Sequence, residues 1–214
     1  MKKIIVIPVI LFLILTGCAK KEKSPEVSAT KPASGGPEET VASNAPEGLD
    51  SFYFSVKSSL ESKDYPEALA SVRSLVDQVW DEIPLTLENV LLAKGPDNTY
   101  GVYEPAEDDI YAAGETIYLY LEPAGYKIEK NESGYYEFGF SADFQLASES
   151  GEILASREKF SELAFKSWKP NKEVAITFNF RFSGLPAGKY KMITTVYDQH
   201  SDKKATVETD LTIT

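Results

Sequence analysis

The sequence predicts a mainly β protein, an antiparallel β-sandwich of about seven strands preceded by a small α-helical hairpin. Over residues 100–214, apolar and polar side chains alternate in short runs, as in antiparallel strands with one face in water. Over residues 50–95, apolar residues recur at helical spacing instead. The 214-residue chain has one cysteine, Cys18, so disulfides contribute nothing and an apolar core must stabilise it.

The N-terminus has the pattern of a secretory signal. Lys2 and Lys3 form a basic start, and the uncharged residues 4–15 follow. This run is shorter than the roughly twenty residues of a transmembrane helix, and with small residues after it the pattern indicates a signal peptide. One interpretation is an ordinary signal peptide with an incidental cysteine, although a lone thiol is unusual in a secreted chain.

The run ends in Leu15-Thr16-Gly17-Cys18, which resembles the lipobox of bacterial lipoproteins. The resemblance implies that residues 1–17 are removed and that Cys18 carries the lipid, with acyl chains such as palmitate as the membrane anchor. It implies a location in the bacterial cell envelope. Ala19 and Lys20 follow with no Asp beside the cysteine, which implies the outer membrane, at its periplasmic face or the cell surface, if the cell is Gram-negative.

Charge restricts the partners of the mature chain. Removing residues 1–17 takes away two lysines and no acid, so the formal net charge falls from −11 to −13. This balance argues against nucleic acid as a partner and leaves membrane anchoring to the acyl chains. Residues 18–49 are rich in Lys, Glu, Ser, Pro, Ala and Gly, which predicts a disordered tether with a mean span of roughly 30 Å.

Residues 50–97 are predicted to form the helical hairpin. Asp64 stands at an N-cap position, and a third short helix is expected over residues 86–93. The stretch "SKDYPEALASVRSLVD" resembles the second half of one tetratricopeptide-type hairpin, and a single copy cannot form a stacked solenoid. We therefore expect the hairpin to pack on the next domain. The apolar positions are Phe52, Val56 and Leu60 in the first helix and Leu69, Val72, Leu75, Val76, Val79, Trp80 and Ile83 in the second.

Residues 98–214 are predicted to form the sandwich. Short strands are also expected over residues 100–104 and 153–156, and Gly- or Pro-containing turns separate the main runs. The apolar faces are Ile117, Leu119 and Leu121; Tyr136, Phe138, Phe140, Ala142, Phe144 and Leu146; Val174, Ile176, Phe178, Phe180 and Phe182; Tyr190, Met192, Thr194 and Val196; and Val207, Thr209, Leu211 and Ile213.

The segment "GLPAGKYKMITTVYD" resembles the penultimate strand of Ig-like and fibronectin-III-like modules, and the size of the domain suits a seven-stranded Ig-like sandwich. The resemblance implies a tyrosine corner, in which the hydroxyl of Tyr190 bonds back to the chain. The core disulfide and tryptophan of antibody domains are absent from the pattern, so this is not a true immunoglobulin domain. The segment also resembles C-terminal domains of uncharacterised exported bacterial proteins, which implies a fold and no activity.

Residues suited to catalysis are sparse. His200 is the only histidine and stands beside Ser201, but adjacent residues in a turn do not point at one another as a catalytic triad requires. One histidine and a lipidated cysteine are too few ligands for zinc. We predict no catalytic residue, no cofactor and no metal centre, with His200 as a solvated loop residue.

Four acidic residues share one loop: Glu104, Glu107, Asp108 and Asp109. Clustered carboxylates can hold Ca²⁺, although their spacing matches no EF-hand pattern. The alternative is an acidic loop that only promotes solubility, and we favour it.

Three tyrosines, Tyr118, Tyr120 and Tyr135, lie on strand faces opposite the predicted core. Exposed aromatic rings on a sheet can stack on sugars or contact a protein. The alternative, which we favour, is that the hairpin covers them, because its own apolar residues also need a partner surface.

These patterns predict a lipid-anchored envelope protein that acts as a non-catalytic binding or assembly module. Its protein or glycan partner is unspecified, and nucleic acid is excluded by the charge. The alternatives are an accessory subunit or enzyme acting on cell-wall polysaccharide, and a structural spacer.

The lipobox generates a direct prediction. Cys18→Ser should abolish lipidation and leave an uncleaved precursor, because the sequence offers no other thiol. Palmitate labelling with membrane fractionation measures both effects, and labelling that persists in the variant would rule out Cys18 as the anchor.

Overall fold

The computed structural model describes residues 48–214. Of these, the residues up to Leu75 belong to one unit and Val76–Thr214 to another. The predicted signal peptide, Cys18 and tether residues 19–47 lie outside the described residues. Neither helix in the described part of the chain is long and apolar enough to cross a membrane.

The two predicted helices are confirmed as α1, Leu49–Glu61, and α2, Tyr65–Glu82. Asp64 caps α2, since its side chain accepts a hydrogen bond from the Glu67 N–H at 3.2 Å. Small side chains lie between the helices, and the hydroxyls of Ser55 and Ser71 are 2.8 Å apart. The apolar stripe of α2 is half-exposed rather than buried: Leu69, Val72, Val76 and Val79 keep between 41% and 49% of their surface.

The second unit contains two sheets. The strands are β1 Thr86–Ala93, β2 Ile110–Tyr111, β3 Thr116–Ala124, β4 Glu129–Lys130, β5 Tyr136–Ser148, β6 Ile153–Ser167, β7 Ile176–Arg181, β8 Gly188–Asp198 and β9 Lys204–Ile213. The smaller sheet has the order β1-β3-β7, and the larger has the order β2-β9-β8-β5-β4 with β6 also paired to β5. All pairs are antiparallel except β2 with β9.

Phenylalanines from both sheets form a common core, which makes the arrangement a two-sheet sandwich. Phe144 of β5 lies 5.2 Å from Phe180 and 5.5 Å from Phe182, ring centre to ring centre. The predicted inward positions of β3, β5, β7 and β8 are buried, except Tyr136, which is half-buried. The mainly β prediction is therefore confirmed, with the helices as a minor part.

The expected third helix is wrong, because residues 86–93 form strand β1. Its pairing with β3 shifts register between Glu88 and Leu91, and Asn89 adopts a φ of 48°. Such a bulge inserts an extra residue into a strand, so the apolar residues fall at intervals that imitate a helix. The boundary expected between the hairpin and the sandwich, at residues 97/98, is consequently too late in the chain, because β1 already belongs to the sandwich. Residues 100–104 form isolated bridges and turns rather than the expected strand.

Strand β6 is much longer than the predicted residues 153–156, because it continues to Ser167. It is an edge strand with polar residues on both faces, so the sequence lacks a clear alternation. A bulge at Lys159, with φ 46°, interrupts its pairing with β5, and the Lys159 N–H donates to Asp143 Oδ1 at 2.7 Å. The bulge turns Phe160 into the core, 5.1 Å from Phe178 and 5.2 Å from Phe180.

Trp80, near the end of α2, contacts the core of the same unit. Its Nε1–H donates to the Tyr126 carbonyl at 2.8 Å, and the two rings meet edge to face at 5.1 Å. The hydroxyl of Tyr126 donates to the Asn171 carbonyl at 2.7 Å. Gly125 permits this approach, since a Cβ there would lie 2.5 Å from the Pro84 carbonyl oxygen. Tyr126 is thus fully buried.

The predicted hydrogen bond of Tyr190 is confirmed. Its hydroxyl donates to the Pro186 carbonyl, four residues upstream, at 2.8 Å, and the side chain is buried at the start of β8. This bond fixes the turn that enters the strand.

Tyr190→Phe should lower the free energy of unfolding by about 1–3 kcal/mol, because it leaves a backbone acceptor unpaired. Denaturant unfolding of the full chain measures the change. Tyr65→Phe is the control, since Tyr65 is 62% exposed. Equal midpoints for wild type and Tyr190→Phe would show that the hydrogen bond is not stabilising.

Candidate functional site

The only histidine is not part of a nucleophile–base pair in the described residues. His200 Nδ1 lies 2.9 Å from Glu129 Oε2, which joins the β8–β9 turn to β4. The Ser201 hydroxyl donates to Asp198 instead. Buried Asp198 also accepts hydrogen bonds from the backbone N–H groups of Lys127 at 2.7 Å and His200 at 3.0 Å. His200 is therefore a partly covered structural residue rather than a freely solvated one.

The four acidic residues proposed for Ca²⁺ do not converge. Lys94 Nζ lies 2.8 Å from Glu104 Oε1 and 3.4 Å from Glu107 Oε1, and the hydrogen bond and charge of Glu104 raise the pKa of Lys94. Asp108 Oδ1 accepts the Ile110 N–H, and the Asp109 carbonyl accepts the Thr212 N–H. Within residues 48–214, no group of three or more potential metal ligands is present. The structure therefore gives the calcium alternative no support.

The three tyrosines have different environments. Tyr118 and Tyr135 are half-buried, whereas Tyr120 is fully buried. Tyr120 is covered, but by the loop after β1, whose Gly101 N–H donates to the Glu122 carboxylate and lies 3.3 Å from the Tyr120 hydroxyl. The Tyr120 hydroxyl oxygen lies 3.0 Å from the Thr99 carbonyl oxygen, and the Tyr103 ring lies 4.5 Å from the Tyr120 ring.

Tyr120 belongs to a buried polar network centred on Glu122. The Glu122 carboxylate accepts hydrogen bonds from the Tyr120 hydroxyl, from Asn89 Nδ2 at 2.7 Å and from the Gly101 N–H at 3.0 Å. The bulge in β1 places Asn89 there. Burial and the hydrogen bond to Glu122 raise the pKa of Tyr120. Burial alone would raise the pKa of Glu122, but the three hydrogen bonds outweigh it and hold that pKa below 4.5. The side chains of Tyr120, Glu122 and Asn89 all have hydrogen-bond partners inside the network. The network therefore has a structural role.

An exposed aromatic cluster lies at the end of β5 and β6. The rings of Tyr135 and Trp168 are 4.1 Å apart, centre to centre, and inclined by 36°. Lys166 Nζ lies 4.0 Å from the centre of the Tyr135 ring, within the range of a cation–π contact. Trp168 keeps 71% of its surface exposed. We call Tyr135, Lys166 and Trp168 the aromatic platform.

Strand register builds the aromatic platform. Glu137 pairs with Lys166 and Tyr136 with Ser167, so the next position along places Tyr135 opposite Trp168. The turn before β5 fixes Tyr135, because its N–H donates to Asn131 Oδ1 at 3.0 Å and its carbonyl accepts the Asn131 N–H at 2.8 Å.

Polar groups surround the aromatic platform. Asn131 Nδ2 donates to Glu137 Oε1 at 2.7 Å, and Lys166 Nζ lies 3.7 Å from the same oxygen. The site therefore combines one exposed ring with adjacent amide, ammonium and carboxylate groups.

Sequence reasoning included Tyr135 among the candidate residues but missed Trp168. The available signal was "KSWKP", in which a tryptophan stands among lysines at the end of a polar run. A tryptophan in such a setting is seldom a core residue.

A shallow cleft of about 320 Å³ lies elsewhere on the sandwich and includes Lys189, Lys191 and Asp210. Lys191 already pairs with Glu208 at 2.8 Å. The mixed charges around the cleft do not define a ligand.

No family model matches the chain, and no curated protein matches it significantly. Among solved structures, CopC from Methylosinus trichosporium OB3b is 12% identical, with 58% of this chain and 93% of CopC covered and a TM-score of 0.30. Spo0M, a sporulation control protein from Bacillus subtilis, is 12% identical over 61% of this chain and 49% of Spo0M, with a TM-score of 0.35.

A third solved structure is the alkylpurine DNA glycosylase AlkC from Pseudomonas fluorescens, bound to DNA containing an abasic site analog. It is 7% identical, with 69% of this chain and 38% of AlkC covered and a TM-score of 0.32. The chain thus spans about half of Spo0M and less of AlkC. At these TM-scores the likenesses carry no information on function.

The Glu122 network generates a prediction with a defined pH dependence. Glu122→Gln should lower the free energy of unfolding at pH 7 by about 1–3 kcal/mol, because an amide donor replaces an acceptor of a buried hydrogen bond. The folded-state pKa of Glu122 is depressed, so its stabilisation is present above the unfolded value and is lost as pH falls through the folded value. The difference between the two proteins should therefore narrow below about pH 4.5.

Denaturant unfolding between pH 3 and pH 8 measures this difference. Glu132→Gln, at an exposed position in the β4–β5 turn, is the control and should match the wild type throughout. A Glu122→Gln difference that stays constant with pH would contradict the assignment of a charged, hydrogen-bonded Glu122.

Proposed function

We propose that this protein is a lipid-anchored component of the bacterial cell envelope that acts as a non-catalytic binding or assembly module. The lipobox at Cys18 supports the anchor, and the composition of residues 18–49 supports a tether of roughly 30 Å. The aromatic platform carries the binding proposal, because Trp168 is a large ring that is 71% exposed and packs with one face against the Tyr135 ring. Exposed apolar surface rimmed by polar groups marks interaction sites.

The proposed fold is an Ig-like or fibronectin-III-like sandwich. Seven strands have six or more residues, and in chain order they are β1, β3, β5, β6, β7, β8 and β9. If these are lettered A to G, strands A, B and E form one sheet, and strands C, F and G are neighbours in the other. Strand D lies beside strand C. This order matches the ABE and CFG sheets of Ig-type domains. The hydrogen bond of Tyr190 to Pro186 supports the same assignment.

Such a sandwich suits a binding role because its sheets form a rigid support while its ends and faces carry function. The aromatic platform lies at one end of β5, which has 13 residues. At about 3.3 Å per residue, that end is separated from the β5–β6 turn by roughly 40 Å. The two ends of the sandwich can therefore be tested separately.

Site-specific photocrosslinking in intact cells tests the proposal. A photoreactive residue at Lys169, beside the aromatic platform, should form a discrete crosslinked product with an envelope component, and Trp168→Ala should abolish it. The same residue at Ser150, in the β5–β6 turn, should form no such product. Equal crosslinking at both positions, or a product unaffected by Trp168→Ala, would contradict a binding role for this site.

A further inference from the structure

We propose that a second copy of this chain binds to the exposed apolar face of the helical hairpin, with α1 of one copy packed antiparallel against α1 of the other. The contact is independent of the aromatic platform, because it involves only residues of the unit that ends at Leu75. It would join two hairpins into a four-helix bundle.

The apolar residues of α1 form an exposed stripe. Leu49, Tyr53, Val56 and Leu60 follow one another at steps of four, three and four residues, which is the spacing at which helices pack side by side in coiled coils and bundles. Val56 is half-buried, whereas Leu49, Tyr53 and Leu60 keep 38%, 60% and 51% of their surface. The stripe therefore has the spacing of a helix–helix contact and is open to a partner.

The exposed stripe of α2 lies on the same side of the hairpin. The helices run antiparallel, because only three residues connect them and the hydroxyls of Ser55 and Ser71 meet between them. At about 100° per residue, the stripe of each helix lies between about 100° and 140° further round than the side facing the other helix. Equal rotations in the same sense put the stripes of two antiparallel helices on one side. We call this surface the helical face: Leu49, Tyr53, Leu60, Leu69 and Val72.

A hairpin with one apolar face is half of a four-helix bundle. In such bundles the helices surround a shared apolar core. A twofold-symmetric dimer uses the same patch on both subunits, so two copies of the helical face would form that core without any other component.

The charges beside the helical face are complementary to those of a second copy. Asp50 and Lys57 are exposed, lie on the same flank of α1 about two helical turns apart, and form no ion pair with another described residue. When α1 packs antiparallel against α1 of the second copy, Asp50 of each copy lies opposite Lys57 of the other. The symmetry produces this pair of opposite charges twice.

The distribution of net charge also favours contact between copies at the hairpin. Residues 48–75 contain three basic and four acidic residues, whereas residues 76–214 contain 13 basic and 24 acidic residues. The first segment therefore has a net charge of −1 and the second a net charge of −11. Copies of a strongly acidic chain repel one another, and this repulsion is weakest where the hairpins meet.

Composition disfavours two other occupants of the helical face. Helices that lie on a membrane surface are rich in Lys and Arg on their polar side, whereas residues 48–75 contain more acidic than basic residues. The preceding residues 18–47 contain no aromatic residue, and their large aliphatic residues are Val27 and Val41 alone. That segment therefore lacks the side chains needed to cover the face.

Disulfide crosslinking of the full-length chain in intact cells tests the inference. Tyr53 lies about midway between Asp50 and Lys57, so position 53 of the two copies should meet near the twofold axis. Tyr53→Cys, expressed as two differently tagged copies, should form a disulfide-linked species that contains both tags. Ser58→Cys, an exposed position on the opposite side of α1, is the matched control and should form none. The wild type shows any contribution of Cys18.

Charge variants in the Tyr53→Cys background test the orientation of the helices. Lys57→Asp should lower the disulfide-linked fraction about fivefold or more, because two attractive pairs per dimer become repulsive. Adding Asp50→Lys exchanges the two charges and should restore the fraction. Leu69→Lys, which puts a charge on the helical face, should also lower it. Circular dichroism spectra of the purified variants that match the wild type show that they fold.

The inference is overturned if Tyr53→Cys forms no species with both tags, or forms no more of it than Ser58→Cys does. A disulfide-linked species that contains only a different protein would overturn it as well, because the face then has another occupant. A loss on Lys57→Asp that the charge exchange does not restore would rule out the antiparallel α1 contact. None of these results affects the crosslinking at Lys169, which tests the aromatic platform separately.

Discussion

The antiparallel register between β5 and β6 is the constraint on which the core and the aromatic platform both depend. It pairs Phe138 with Phe165 against the core and, one position further along and on the opposite face, puts Lys166 beside Glu137. Because side chains alternate between faces, a slip of one residue would turn the phenylalanines outward and dismantle the stack of Tyr135 and Trp168. The phenylalanine core therefore fixes a surface feature that is not itself buried.

The buried carboxylates of Glu122 and Asp198 tie irregular segments to the sheets, a role that disulfides have in many small domains. Glu122 holds the loop after β1 against β3, and Asp198 closes the β8–β9 turn. Each accepts at least three hydrogen bonds, so the cost of burying its charge is offset locally. These contacts order the irregular segments without a second cysteine.

Period-two alternation was sufficient to predict the main strands, because each has one face in a single apolar core. It failed where geometry departs from that rule. The bulge at Asn89 gave β1 the residue spacing of a helix. The full length of β6 was not predicted, because largely polar faces leave no clear alternation in its sequence. Tyr120 was assigned to the wet face, but a loop covers that face. Trp168 could not be placed beside Tyr135 without the register of β6. The hydroxyl bond of Tyr190 was predictable because it is local, spanning four residues.

The bulge at Lys159 affects how the edge strand β6 can pair with strands of other molecules. Strand β6 is an edge strand of 15 residues, and a long straight edge can recruit a strand from a neighbouring molecule. The lipid anchor that we propose would hold copies of the chain at high local density and so would increase that hazard. The irregular backbone around Lys159, with charged residues at positions 157–159, prevents the edge from offering an uninterrupted row of hydrogen-bonding groups. The same residue that lets Phe160 enter the core thus also makes the β6 edge a poorer template for a strand of another molecule.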